Sequence, residues 1–367
     1  MKNSTFRFQT YRRGSAYADL SARRAAPGRE GRAMMRFGFP KMGYFAVAFW
    51  VAATCAHAQV GEESPAVTHD TWTSGAPMPA ALVSPVAAVL QGQIYVVGGF
   101  NNSTVVADTQ VFNPSTNVWR TGVPIPVAID NAAAAVVNNV LYVIGGTSTV
   151  GGSHATNTVW AYDPTTKTWS TKAAMPTARE TASAVVVNNI IYVIGGWDGV
   201  FSGDGLATVE SYNPATDTWT EETPLMVGKW FPSTGVFGTE LTGYAIVAPD
   251  GAAQCCPSGF TGDNEGYTVF TNAWTSLAPD PTVRGDACFG SIGGSTLYVA
   301  GGTDTQGPAL SVTESYGLFT NAWKTLAPIP QATIGPASAV YKGRLYCFGG
   351  WTGWNGSVLD SVQIYQP

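Results

Sequence analysis

The chain has 367 residues, of which 45% are hydrophobic and 12% aromatic but only 12% charged, with 42 Gly and 23 Pro. So few charges exclude a disordered chain, and this much Gly, Pro and aromatic side chain argues for short strands and tight turns rather than helices. Beyond residue 58, nine basic residues face 22 acidic ones, a net charge of −13 that repels phosphate backbones and anionic lipid and excludes nucleic acid as a partner.

Residues 1–33 carry seven Arg and no apolar run, and read as an extension ahead of the true start, set by a start codon placed too early. Residues 34–58 read as a secretory signal peptide. A basic opening through Arg36 and Lys41 leads into an apolar run from Tyr44 to Val51, and Ala56-His57-Ala58 supplies a small-x-small cleavage site. The run is too short to span a bilayer, and Thr54 and Ala52 fit lipidation of Cys55 poorly. The expected mature protein, residues 59–367, is therefore secreted or periplasmic, with no membrane insertion after cleavage.

That mature part opens on a lone strand, Thr71-Trp72-Thr73, and then repeats itself. One line is aliphatic-Tyr-apolar-apolar-Gly-Gly: Ile94 to Gly99, Leu141 to Gly146, Ile191 to Gly196, Leu297 to Gly302 and Leu345 to Gly350. A worn copy reads Gly243-Tyr244-Ala245-Ile246-Val247-Ala248, with Val247-Ala248 in place of the glycines. A second line sets an aromatic seven residues before a Trp: Phe112/Trp119, Tyr162/Trp169, Tyr212/Trp219, Tyr267/Trp274 and Tyr316/Trp323. Asn113-Pro114, Asp163-Pro164 and Asn213-Pro214 between them open type I turns, so each pair faces itself across a hairpin.

A run of small residues precedes each glycine line, as at Ala132 to Val137 and Ala182 to Val187, and suits a strand near a crowded axis. Each unit thus reads as four strands with a period of roughly 50 residues. The chain ends on a lone Tyr strand, Val362 to Tyr365, which the opening Trp strand completes as a sixth pair. Closing a ring in this way removes its open edge. On these lines the sequence resembles the kelch-repeat family, which implies an all-β, six-bladed β-propeller closed by pairing the N-terminal strand with the last blade.

Four Cys remain after cleavage, Cys255, Cys256, Cys288 and Cys347, with no C-x-x-C. Disulfides are permitted, but a core of this size does not need them. Cys347 stands where sister units carry Val96, Val143 and Val193, and is expected as a buried, reduced filler. The adjacent Cys255 and Cys256 read as a vicinal disulfide, as two thiols, or as partners of other cysteines.

The resemblance implies that ligands meet the face built from two sets of loops. Those leading into the inner strands carry Arg179, Glu180, Lys229, Trp230, Arg284 and Asp286; those after Gly-Gly carry Trp197, Asp198, Trp351 and Trp354. Arg179, Lys229 and Arg284 occupy equivalent places where other units have Leu82, Ile129 and Thr333. They either contact a ligand or tie strands together and balance nearby acids. The Trp residues either stack on a sugar or a protein partner, or pack over blade edges. Asp198, Asp204, Asp250 and Asp263 match no Ca²⁺ loop spacing.

Galactose-oxidase-like propellers would need two His on inner strands for copper, and only His69 and His154 exist beyond residue 58, so no cofactor is implied. Bacterial sialic-acid epimerases share the plan, and that resemblance implies an acid and an Arg, for which Glu180, Arg179 and Arg284 are the candidates. No catalytic motif accompanies them. The expectation is an exported, monomeric binding module recognising a protein or carbohydrate on its loop face; the alternative is a mutarotase or epimerase acting on a small acidic sugar.

Overall fold

The computed structural model describes residues 69–367 apart from 150–153, 201–203, 240–242, 254–258, 305–306 and 354–355. The extension, the signal segment, Cys255, Cys256 and Trp354 lie outside the described residues. Every regular element among those described is a strand, and the strands form six antiparallel sheets of four.

Five sheets take consecutive strands. In the first, β2 (Val86–Leu90), β3 (Gln93–Val97), β4 (Thr109–Asn113) and β5 (Val118–Thr121) run in order from the axis outward. The inner strands of the other five are β6 (Ala133–Val137), β10 (Ser183–Val187), β14 (Gly235–Thr239), β18 (Cys288–Ile292) and β22 (Ala337–Tyr341). Each touches the next, and β22 touches β2, so the sheets close into a six-bladed β-propeller. Ala87, Ala88, Ala134 and Ala184 let these strands converge. The core lies between blades rather than within them: Tyr142 and Ile144 of the second blade pack with Ile191, Val193 and Tyr212 of the third.

The last blade is ordered β22, β23 (Arg344–Phe348), β24 (Val362–Gln366) and then β1 (Thr71–Ser74), so the chain's first strand completes its last sheet. Trp72 faces Tyr365 with ring centroids 5.1 Å apart. The same pairing recurs at Phe112/Trp119, 4.9 Å, and Tyr212/Trp219, 5.0 Å. Each Trp indole also donates to a carbonyl of the preceding blade: Trp119 to Ala76, Trp219 to Ala173, Trp323 to Ala278, and Trp72 to Ala327 across the closure. One residue type thus serves packing and blade-to-blade bonding together, at about 1 kcal/mol net for each bond.

Two sequence expectations are corrected. The worn repeat was aligned on Tyr244, but the backbone places its counterpart of the glycine pair at Asp250-Gly251. Gly251 donates to the Arg284 carbonyl as Gly196 donates to that of Lys229, and Asp250 and Gly251 have φ of 51° and 111° beside 63° and 105° for Gly195 and Gly196. What the fold conserves there is left-handed backbone, which Asp tolerates better than most residues. A Cβ on Gly195 would collide with the Lys229 carbonyl oxygen.

Cys347 is buried as expected but not reduced. It forms a disulfide with Cys288, which joins β18 of the fifth blade to β23 of the sixth. Comparison with valines at equivalent places reveals burial, but not a partner 59 residues away across an interblade face. Cross-linking that span is worth about 3–4 kcal/mol on the chain-entropy account. Reduction is therefore expected to lower Tm by roughly 6–16 °C, and a non-reducing peptide map should show Cys288 joined to Cys347. A map with both thiols free would contradict the pairing.

Candidate functional site

Where each inner strand begins, one residue adopts left-handed backbone: Ser84, Asn131, Thr181, Phe231, Asp286 and Gly335, with φ between 50° and 63°. Only one of the six is glycine, and Thr181 is β-branched, for which this conformation is unusual. These residues are linked around the axis by backbone hydrogen bonds. Asn131 N donates to Ser84 O, Thr181 to Asn131, Phe231 to Thr181, Gly335 to Asp286 and Ser84 to Gly335. They ring one end of a central cavity of about 180 Å³, whose wall continues through Ser183, Ser338 and a set of alanines. Strained backbone collected at a cavity mouth is a mark of a functional site.

The residue before each member of this ring is bridged to the loop after the glycine pair: Asp130 to Thr147, Glu180 to Trp197, Trp230 to Ala252 and Ile334 to Trp351. In three consecutive blades this position holds polar atoms that are buried and make no hydrogen bond: Asp130 Oδ1, both Glu180 oxygens and Trp230 Nε1. Glu180 is 1% exposed. Burial raises its carboxyl to about 8, with Asp130 adding to the effect, and burial raises Asp130 to about 7. Beside them Trp197 and Trp230 lie 5.5 Å apart, and Trp230 stacks on Phe231 at 5.6 Å. Asp286, half-buried in the cavity wall, is raised to about 7 by burial alone.

The three cations do not reach this surface. Arg179, Lys229 and Arg284 are all fully buried. Arg179 Nη2 pairs with Glu210 Oε2 at 2.6 Å, and its Nη1 donates to Thr208 O at 2.9 Å. Lys229 Nζ pairs with Glu265 at 3.3 Å and donates to Ala248 O and Asp263 O. Arg284 pairs with Asp280 and Glu314 and donates to Val312 O. Each clamps the loop entering a blade onto that blade's own second and third strands. Burial lowers the Arg179 guanidinium to about 10 against the opposing pull of Glu210, so it keeps its charge at neutral pH. Of the two roles open to these cations, tying strands together is the one the structure shows, since none of the three has exposed surface with which to touch a ligand.

A profile of the KLHDC2/KLHL20/DRC7 Kelch-repeats domain matches residues 67–229, and one of the Kelch motif matches residues 332–367; together they cover more than half of the chain. The chain belongs to the kelch-repeat β-propellers. No curated protein sequence matches it. A solved structure, that of YjhT, is similar at 18% identity and a TM-score of 0.66, over 79% of this chain and 96% of its own. In all, 673 solved chains match, so the likeness speaks for the fold and leaves function to the site.

In this kelch propeller the remaining predicted residues divide by position. Asp286 lines the cavity, while Glu180 and Trp230 immediately precede its lining residues Thr181 and Phe231; Glu180 is bridged to Trp197, and both of these are buried. Trp351 lies on the same face in the sixth blade, edge-on to Phe100 at 6.3 Å. Asp198 is exposed and caps a local turn by accepting from Val200 N. Asp198, Asp204, Asp250 and Asp263 are not brought together, and no group of three metal-binding side chains forms among the described residues. Asp250 is fully buried, accepts from Ser233 N, and is held protonation-prone by burial and by Asp280. Sequence reasoning missed Asp130 and the ring residues Ser84, Asn131, Thr181 and Phe231. Their common signal is position alone, at the start of each run of small residues.

Proposed function

We propose that the protein is an exported binding module whose loop face, centred on the channel mouth, recognises a carbohydrate or a protein segment. The observation that carries this reading is the central cavity of about 180 Å³, ringed at one end by Ser84, Asn131, Thr181, Phe231, Asp286 and Gly335; directly behind that ring Trp197 and Trp230 pair at 5.5 Å, and Asp130, Glu180 and Trp230 hold buried polar atoms with no partner in the protein. A fold does not leave such groups without partners at no cost, since each forfeits about 1–3 kcal/mol. Aromatic faces next to hydrogen-bonding groups suit sugar rings and protein anchors alike. The Cys288–Cys347 disulfide supports a secreted or periplasmic setting.

The test is to block the mouth. Ser84→Phe places at the first blade the residue that the fourth carries as Phe231, so the backbone accepts it. Binding on a glycan array or to a partner captured by the parent protein should fall at least tenfold with Tm unchanged. Full binding by the variant would place the site elsewhere.

A second reading draws on Glu180 and Asp130, whose raised carboxyls suit proton transfer near neutral pH, as a sugar isomerase or mutarotase needs. Any such chemistry would run without Arg179 or Arg284. Ring opening of a bound sugar, followed by NMR with and without Glu180→Gln, tests it.

A further inference from the structure

Charge at the mouth runs opposite to what three cations in a row lead one to expect. Asp286 is the one ionisable side chain on the cavity wall among the described residues. Its carboxylate turns inward: a Cβ built on Gly335 would lie 3.0 Å from Asp286 Oδ2 and 3.0 Å from Ser84 Oγ. No side chain bonds it and no charge lies near enough to act on it. Asp130 and Glu180, which precede ring residues in the second and third blades, are likewise acted on by no cation, and Glu180 leaves both oxygens unbonded at 1% exposure. Arg179, Lys229 and Arg284 come from the same loops but spend their charge on Glu210, Glu265, Glu314 and Asp280. Arg120, Lys172 and Lys324 lie on outermost strands.

We infer that the channel mouth takes a ligand carrying a protonated amine and rejects carboxylates, the amine entering toward Asp286 with Trp230 and Phe231 beside it. This rests on the reading of the loop face as a binding surface and names the chemistry it selects. An ammonium supplies donors to oxygens that have none, and it gains from the ring faces. The cavity, at about 180 Å³, holds a group the size of about six waters at ~30 Å³ each. An acidic ligand would find no cation on the cavity wall and would meet the Asp286 carboxylate. An amino sugar and a lysine side chain present the same group and differ in what surrounds it.

The sign of the pH dependence follows. Asp286, on the cavity wall, is raised to about 7, so at low pH it is neutral and offers an amine little. Amine affinity should climb as pH rises from 6 to 8.5, with protons released on binding.

Isothermal titration with glucosamine, with Nα-acetyl-lysine amide and with glucuronate, at both pH values, separates the outcomes. Nα-acetyl-lysine amide, which keeps its proton throughout, should bind at pH 8.5 at least tenfold more tightly than at pH 6; glucosamine, whose amine loses its own proton between these values, is compared with it at pH 7, and the stronger of the two names the source. Glucuronate should give no heat. Asp286→Asn, which places there the residue the second blade carries as Asn131, should weaken amine binding about tenfold while Tm holds or rises. Glucuronate binding as tightly as the amines, amine binding indifferent to pH and to Asp286→Asn, or silence from both amines would each overturn the inference. The loop-face reading fails separately, if Ser84→Phe leaves partner capture intact.

Discussion

Deleting residues 59–74 should leave a protein that melts more than about 10 °C below the parent and associates through its last blade. The deletion removes β1, whose Trp72 stacks on Tyr365 and donates to Ala327 O. It also removes Asp70, whose Oδ1 accepts from both Tyr365 Oη and Ala327 N. Loss of the half-buried Trp72 alone costs about 3 kcal/mol, at the low end for a Trp removed from a core; the strand pairing and the Asp70 bonds go with it, and each kcal/mol moves Tm by roughly 2–4 °C. Without β1, the strand β24 presents an open edge, the usual template for intermolecular pairing. Calorimetry and size-exclusion chromatography give the answer. Parent-like melting as a monomer would show that closure of the ring contributes nothing.

The second large effect concerns the buried cations, and the molecule contains its own control. Two residues before the blade aromatic stand Glu210, Glu265 and Glu314 in the three blades entered through Arg179, Lys229 and Arg284. In the blades entered through Leu82, Ile129 and Thr333, the same position holds Gln110, Trp160 and Gln363. Gln110 and Gln363 bond the incoming loop directly, Gln110 to Ala80 and Gln363 to Gln331. Arg179→Leu should therefore destabilise by about 3–5 kcal/mol, because Glu210 is left buried without its partner. Adding Glu210→Gln, which recreates the Leu82/Gln110 pairing of the first blade, should restore all but about 1 kcal/mol. Denaturant unfolding of both variants reads this directly. Equal losses in the single and the double variant would show that the ion pair is not what the site depends on.

That covariation was present in the sequence and is the signal that separates a clamp from a ligand contact. An Arg or Lys was recognised at three equivalent loops because the loops follow visible repeats. Its partner lies about 30 to 36 residues further on in the same blade, two places before the blade aromatic, a separation that no local repeat pattern links to the loop. The worn blade misled for a similar reason. Tyr244 looked like a repeat tyrosine, whereas the requirement is left-handed backbone at Asp250 and Gly251. Cys347 was placed correctly in the core and wrongly left without its partner, Cys288.

By itself the sequence determined the blade, the number of blades and the closure of the ring. Each of these rests on short-range pattern: small residues for the inner strand, glycines where φ is positive, an aromatic and a Trp meeting across a hairpin, and an unmatched half-pair at each end. Only the tertiary structure decided which charged groups are paired and which are not. Burial and pairing depend on contacts between loops and strands far apart in the chain, and a side chain's free energy turns on whether a counter-charge stands within reach of it. For that reason Arg179, Lys229 and Arg284 are paired inside the blades, while Asp286 stands without a counter-charge on the wall of the cavity.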